Sequence, residues 1–177
     1  MPKIDRDAIE PYARAVYPGR LQQRTAGYSK LQLSDAGGLA QFGAGEVTLQ
    51  PGGASGLYHW HQLEDEFLYV LEGELTIIEG GQTYTLGPGE SAAFKAGVKV
   101  GHTAENRSDA PVRFLEIGTR LEGEIAYYRG IDMRFVRKSE HMFETRSGEP
   151  IDMTTTPGTI DEPDSYHNTN PRRTDHD

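Results

Sequence analysis

Residues 56–73 read GLYHWHQLEDEFLYVLEG. Side chains two apart in an extended strand share a face, so His59 and His61 project side by side while Trp60 points the other way. The polar run 62–65 reads as a turn into a second strand, where Glu66 comes back beside the two rings. Farther on, His102 opens another β-like run and supplies a third nitrogen. Three imidazoles and one carboxylate suit a single divalent transition ion, Zn, Fe, Mn, Ni or Cu. They suit Ca and Mg poorly, because those ions prefer shells made of oxygen.

Outward from this stretch, short β-like runs separated by glycine and proline recur about every 8–12 residues, the texture of an all-β sandwich or barrel. Strands are expected over 28–33, 39–49, 57–61, 66–72, 74–79, 83–86, 91–95, 102–106 and 112–119, with added strands over 125–129 and 133–136. Glu79-Gly80-Gly81-Gln82 is expected to be a tight hairpin, since consecutive glycines tolerate the positive φ of primed turns. The chain divides into an N-terminal arm (1–27), a β-barrel (28–136) and a largely irregular C-terminal extension (137–177). The arm has room for a short helix around 6–15, interrupted at Pro11. Residues 148–177 carry much Pro, Thr, Asp and Asn and little apolar periodicity, the composition of a flexible or surface-hugging tail.

The spacing His59-x-His61, four residues, Glu66, six residues, Gly73 resembles the first motif of the cupins. Residues 89–106 resemble the second, with Gly89, Gly97, His102 and Asn106 in place. Lys95 stands where proline is usual, and four residues rather than two separate Gly97 from His102. The resemblance covers about residues 28–136. It implies a double-stranded β-helix of jelly-roll type, and with it a metal held by His59, His61, Glu66 and His102. Together with the later DMRF, it is similar to a group of small single-domain bacterial cupins often labelled sugar or sugar-phosphate isomerases. That implies a metal-dependent enzyme acting on a small polar molecule, with Glu66 as the catalytic carboxylate. An Fe(II)-dependent dioxygenase and a non-catalytic small-molecule-binding cupin remain as alternatives, since one fold hosts many chemistries.

Other residues have simpler expectations. Glu64 shares the parity of Glu66 and reads as a solvent-facing turn residue ahead of a substitute ligand or general base. Trp60 packs in an outer layer. Tyr58, Phe94, Lys95 and Asn106 are candidates for lining the pocket, with Asn106 read as satisfying backbone groups in a turn. Tyr127, Tyr128 and Arg129 either close over the barrel mouth or pack as an edge strand, with packing favoured, and His141, His167 and His176 read as surface histidines without partners at ligand spacing.

Phe67, Tyr69 and Leu71 alternate with Glu66, Leu68 and Val70, so the strand over 66–72 is apolar on both faces. Its outer row needs a cover, and a homodimer, the usual solution among cupins, is expected. The 177 residues carry a net charge of -9, which argues against nucleic acid and anionic membrane surfaces as partners. No GxSxG, P-loop or GxGxxG pattern opens a helix, so hydrolase, NTPase and dinucleotide readings lack a motif. The absence of cysteine excludes thiolate chemistry and disulfides and fits a reducing compartment. With no apolar leader at the N-terminus and no run of roughly 18 apolar residues, a cytoplasmic location is expected.

Overall fold

Along Val112–Thr119 the buried positions alternate: Val112, Phe114 and Glu116 face inward, while Arg113, Leu115 and Ile117 are half-exposed. This period of two marks a strand with one face on a core, and it sets the plan of the whole molecule. The computed structural model describes residues 3–13, 17–137 and 142–161. In chain order the strands are β1 (Tyr12–Ala13), β2 (Tyr28–Leu31), β3 (Phe42–Leu49), β4 (His59–His61), β5 (Glu66–Glu72), β6 (Leu75–Glu79) and β7 (Gln82–Leu86). They continue with β8 (Ser91–Phe94), β9 (His102–Glu105), β10 (Val112–Thr119), β11 (Ile125–Tyr128), β12 (Arg134–Val136) and β13 (Met142–Glu144).

Two antiparallel sheets result, ordered β1-β2-β3-β10-β5-β8 and β13-β12-β11-β4-β9-β6-β7. In the middle of each sheet the neighbours are distant in sequence (β3-β10-β5-β8 and β11-β4-β9-β6), which is the crossing connectivity of a jelly roll. The Gly80-Gly81 hairpin joins β6 to β7, with both glycines at positive φ.

The inward rows change character halfway along the strands. On β10 the row runs Val112, Phe114, Glu116, Gly118; on β3 it runs Leu49, Val47, Gly45, Gly43; on β5 it runs Val70, Leu68, Glu66, in register with one another. The apolar ends fill one end of the barrel with Val47, Leu49, Leu68, Val70, Leu75, Ile77, Phe94, Val112 and Phe114. The other ends carry glycines and charged groups, and the interior there opens into a cavity. Gly45 is small for a further reason: a Cβ on it would lie 2.3 Å from Lys30 Cε and 2.8 Å from the Leu31 carbonyl oxygen. The Lys30 side chain crosses this gap to reach Glu116, Nζ to Oε1 at 2.6 Å, in a buried ion pair.

Several expectations shift. The strand begun at Tyr28 ends at Leu31, and a single helical turn, α1 (Leu33–Ala36), follows it. No α-helix forms over 6–15 among the described residues. A 3₁₀ turn at Arg6–Ala8 gives way to β1, which pairs with β2. Pro11 accounts for the break, since it lacks an amide hydrogen and biases its predecessor toward extended backbone. Strand β11 is not an edge: it lies between β4 and β12. A strand, β13, stands inside the segment expected to be irregular.

Residues 148–161 lie along the body: Gly19 N–H donates to Met153 O at 2.9 Å and Asp132 N–H to Gly158 O at 2.9 Å. A second apolar cluster of Tyr17, Leu57, Tyr128 and Met133, flanked by Phe135, Phe143 and Ile151, binds the chain's two ends to the second sheet. No helix among the described residues is long and apolar enough to cross a membrane.

Gly45→Ala is expected to lower stability by about 2 kcal/mol, the scale of overpacking in a filled interior. Urea unfolding of the variant beside the parent chain checks it.

Candidate metal centre

Strand pairing assembles the histidines. His59 lies directly opposite His102 across the β4–β9 pair, and β4 sends His61 to the same face two residues on. Glu66 opens β5 in the facing sheet. The Nε2 atoms of His59 and His61 are 3.0 Å apart; Glu66 Oε2 lies 3.0 Å from His102 Nε2 and 3.5 Å from His61 Nε2. One ligand atom from each of the four residues lies within 4.8 Å of all the others. The structure therefore brings together all four residues singled out in the sequence. The four-residue loop before His102 does not misdirect it, because Gly97 N–H donates to the His61 carbonyl at 2.9 Å and ties the loop to β4.

The rings are oriented from outside. His59 Nδ1 lies 2.6 Å from the Leu57 carbonyl oxygen, an acceptor only, so Nδ1 carries the hydrogen and Nε2 keeps its lone pair. His61 Nδ1 donates to Glu124 Oε1 at 2.9 Å. His102 lies flat against Phe94, ring centroids 3.7 Å apart with planes 3° from parallel. Fixing the far ring nitrogen in this way is how metal-binding histidines are usually held.

The charges follow from burial and neighbours. Loss of hydration, then repulsion from His61 and His102, holds His59 well below the usual histidine range. Burial alone would raise the Glu66 carboxyl, but hydrogen bonds from His102 and His61 outweigh it and keep the group ionised. Burial also works against a charged His61, yet its hydrogen bonds to Glu124 and Glu66 lift it to about 10. Two Nε2 atoms at 3.0 Å, one a fixed lone pair, need a cation between or beside them. A proton on His61 serves that purpose, and a divalent ion shared by all four groups serves it equally, since metal and proton compete for one lone pair. The donor set thus fits a divalent transition ion.

Glu124, which sequence reasoning missed, is fully buried, at 0% exposure. Besides His61 it accepts hydrogen bonds from the backbone N–H groups of Gln62 (3.2 Å) and Leu63 (2.7 Å). It stands at the end of a polar turn with no apolar pattern around it, and only the β4–β11 pairing carries it under His61. Glu64 corrects the expectation of a solvent-facing residue: at 6% exposure it accepts from Leu121 N–H (2.7 Å) and from Arg137 (2.9 Å).

A cavity of about 870 Å³ leads from His59, His61 and Glu66 toward the barrel mouth. Its wall holds Lys30, Glu116, Tyr17 and Ser55 among others, none of which the sequence marked as pocket residues, and Tyr128, for which the sequence favours packing over closing the barrel mouth. His102 sits behind it, with Phe94 and Lys95, on a crevice of about 20 Å³.

Of the expected lining residues, Tyr58, Phe94, Lys95 and Asn106 are all absent from the large cavity. Asn106 instead donates to the carbonyls of Leu49 and Ala110 and accepts from Ser108 N–H, the backbone role expected of it. Trp60 points away from the histidines and stacks on Tyr127, centroids 4.6 Å apart. His141, His167 and His176 lie outside the described residues.

The Cupin domain family (Cupin_2) matches residues 45–118. A crystal structure from Silicibacter pomeroyi, titled a sugar phosphate isomerase from a cupin superfamily, is 44% identical, with a TM-score of 0.81 over 85% of this chain and 97% of that one. This chain is a cupin. A second crystal structure, from Acidithiobacillus ferrooxidans, carries the sugar phosphate isomerase name provisionally. It is 27% identical to this cupin, with a TM-score of 0.64 over 71% of this chain and 80% of the other. The polyketide cyclase RemF of Streptomyces resistomycificus shares the fold at 24% identity, with a TM-score of 0.55 over 67% and 79% of the two chains. No curated protein matches this cupin.

Glu124→Ala is expected to destabilise this cupin by about 3 kcal/mol, because it strands buried donors at His61, Gln62 and Leu63. Glu124→Gln, which keeps a carbonyl oxygen for them, is expected to lose less. Chemical denaturation of the two variants side by side checks the order.

Proposed function

We propose that this cupin is a metal-dependent enzyme that isomerises a small hydroxy-carbonyl molecule of the sugar or sugar phosphate class. The observation that carries the reading is the convergence of His59, His61, Glu66 and His102, the first three of which line a cavity large enough for such a molecule. The name borne by the relative at 44% identity supports the reaction type. A divalent ion held there supplies Lewis acidity, polarising a bound carbonyl or hydroxyl.

The chain's own groups do the rest. The three imidazoles and Glu66 hold the ion, and Glu124 and the Leu57 carbonyl keep two of the rings aimed. Glu66, ionised and facing the cavity, is the carboxylate placed to move the proton. In an aldose–ketose exchange a proton leaves the carbon beside the carbonyl and returns to the former carbonyl carbon, while a hydroxyl proton passes between the two oxygens. Tyr17, Tyr128 and Phe143 line the cavity as apolar ring surface that limits water around the reacting atoms.

Protein purified without a metal-affinity tag is expected to carry close to one equivalent of a divalent transition ion by elemental analysis. A double variant, His59→Ala with His61→Ala, should lose it. The loaded enzyme is expected to interconvert at least one aldose–ketose pair, and Glu66→Gln to lower kcat by about 100-fold or more. Inertness of loaded protein toward a broad panel of aldoses, ketoses and their phosphates would overturn the reading. Iron-dependent oxygen consumption with substrate would replace it with a dioxygenase.

We further propose a homodimer in the cytoplasm. Phe67, Tyr69 and Leu71 form an outward apolar row on β5, each 36–37% exposed, a stripe that a second copy would cover. Analytical ultracentrifugation is expected to give twice the chain mass of 19.6 kDa, and Tyr69→Glu to bring it down to that of a single chain. A wild-type monomer at micromolar concentration would refute the dimer.

A further inference from the structure

The charged groups of the cavity wall form a closed set. Its cations among the described residues are Lys30, Arg120 and Arg137. Each is already matched: Lys30 with Glu116 at 2.6 Å, Arg120 with Asp35 at 2.6 Å, and Arg137 with Glu64 at 2.9 Å. Asp65 and Glu66 complete the wall, so with the histidines as neutral ligands of an ion, five carboxylates stand against three side-chain cations, an excess of two negative charges. A divalent ion on the histidine–Glu66 set brings the wall to neutrality and leaves nothing over.

A phosphate monoester carries about two negative charges at neutral pH. Sites that accept one supply uncommitted arginine, lysine or a cluster of backbone N–H groups. Here an ester could draw Lys30 or Arg137 only by taking it from a buried carboxylate, Glu116 or Glu64, that would then be left unpaired, which is strongly unfavourable; Arg120 is held by the half-exposed Asp35. Arg137 does keep a buried Nε with no hydrogen-bond partner, but its charge is answered by Glu64. The rest of the polar wall is neutral, with Tyr12, Gln32 and Ser55 offering hydroxyl and amide groups. Gln32 Oε1 is a buried acceptor without a hydrogen-bond partner, suited to a hydroxyl hydrogen.

We infer that the cavity takes an uncharged polyhydroxy carbonyl compound and excludes its phosphate ester. This rests on the reading of the cavity as a metal-dependent substrate site and narrows the substrate class within it.

The test uses the full chain loaded with zinc and matched pairs of probes: D-fructose against fructose 6-phosphate, and D-ribose against ribose 5-phosphate. Ligand-observed NMR or calorimetry is run at about 50 mM and about 500 mM salt, since added salt weakens repulsion between charges. The uncharged member is expected to bind about tenfold tighter or more, with the gap narrowing at high salt. Glu64→Gln releases Arg137 and Asp35→Asn releases Arg120, and each is expected to raise ester affinity about fivefold while leaving the uncharged sugar within about twofold. The Asp35–Arg120 pair is half-exposed, so its variant keeps the comparison informative if the buried Glu64 variant fails to fold. An ester that binds wild-type protein as well as its parent sugar overturns the inference alone. Silence from both members of every pair, in protein shown to hold its zinc, overturns the substrate-site reading and this inference with it.

Discussion

The antiparallel register that sets His59 opposite His102 is the constraint on which the rest of this cupin depends. Side chains alternate faces along a strand, so a slip of one residue in β4 would turn His59 and His61 outward and Trp60 inward, and a slip in β9 would turn His102 outward. Tertiary contacts guard against the slip on both sides. The outer face of β4 carries Trp60 stacked on Tyr127. The loop into β9 is tied to β4 through Gly97, and His102 is backed by the flat face of Phe94.

A second constraint is that one barrel must be both packed and hollow. The strands meet it by changing the inward residue type midway. Phe114 gives way to Glu116 and Gly118, Val47 to Gly45 and Gly43, and Leu68 to Glu66, so the filled half supports the open half without a separate domain. The buried Lys30–Glu116 pair stands near the boundary. Such pairs cost desolvation that their attraction only partly offsets, which makes them an expensive way to fill a core but a workable lining for a polar cavity.

The fold was largely legible because the strands are short β-rich runs separated by glycine and proline turns. Nine main strands appear where the period of two placed them, with ends shifted by up to three residues. The four residues proposed as ligands were legible because strand parity and spacing are local properties. What was not legible is long-range. Glu124 lies 63 positions from the ring it orients, and Lys30 is 86 positions from Glu116; neither neighbourhood has a pattern announcing its partner. Glu64 was misjudged because its acidity suggested water, whereas Arg137 and the Leu121 amide remove that need. Tyr58 and Lys95 were taken as pocket residues from nearness in sequence, yet strand direction sends them elsewhere.

The strap formed by residues 148–161 gives the chain an economy of its own. Met153 and Tyr12, from opposite ends of the polypeptide, both stand in the cavity wall, and Gly19 is bonded to Met153. A fragment trimmed to the shared family segment, residues 45–118, would retain every proposed ligand while discarding Glu124, Tyr128 and this clasp. The proposed ligands thus all lie inside the segment that the family as a whole matches. The shape of the chamber is written largely in the stretches that flank this segment, among them Tyr12, Lys30, Arg120, Tyr128 and Met153.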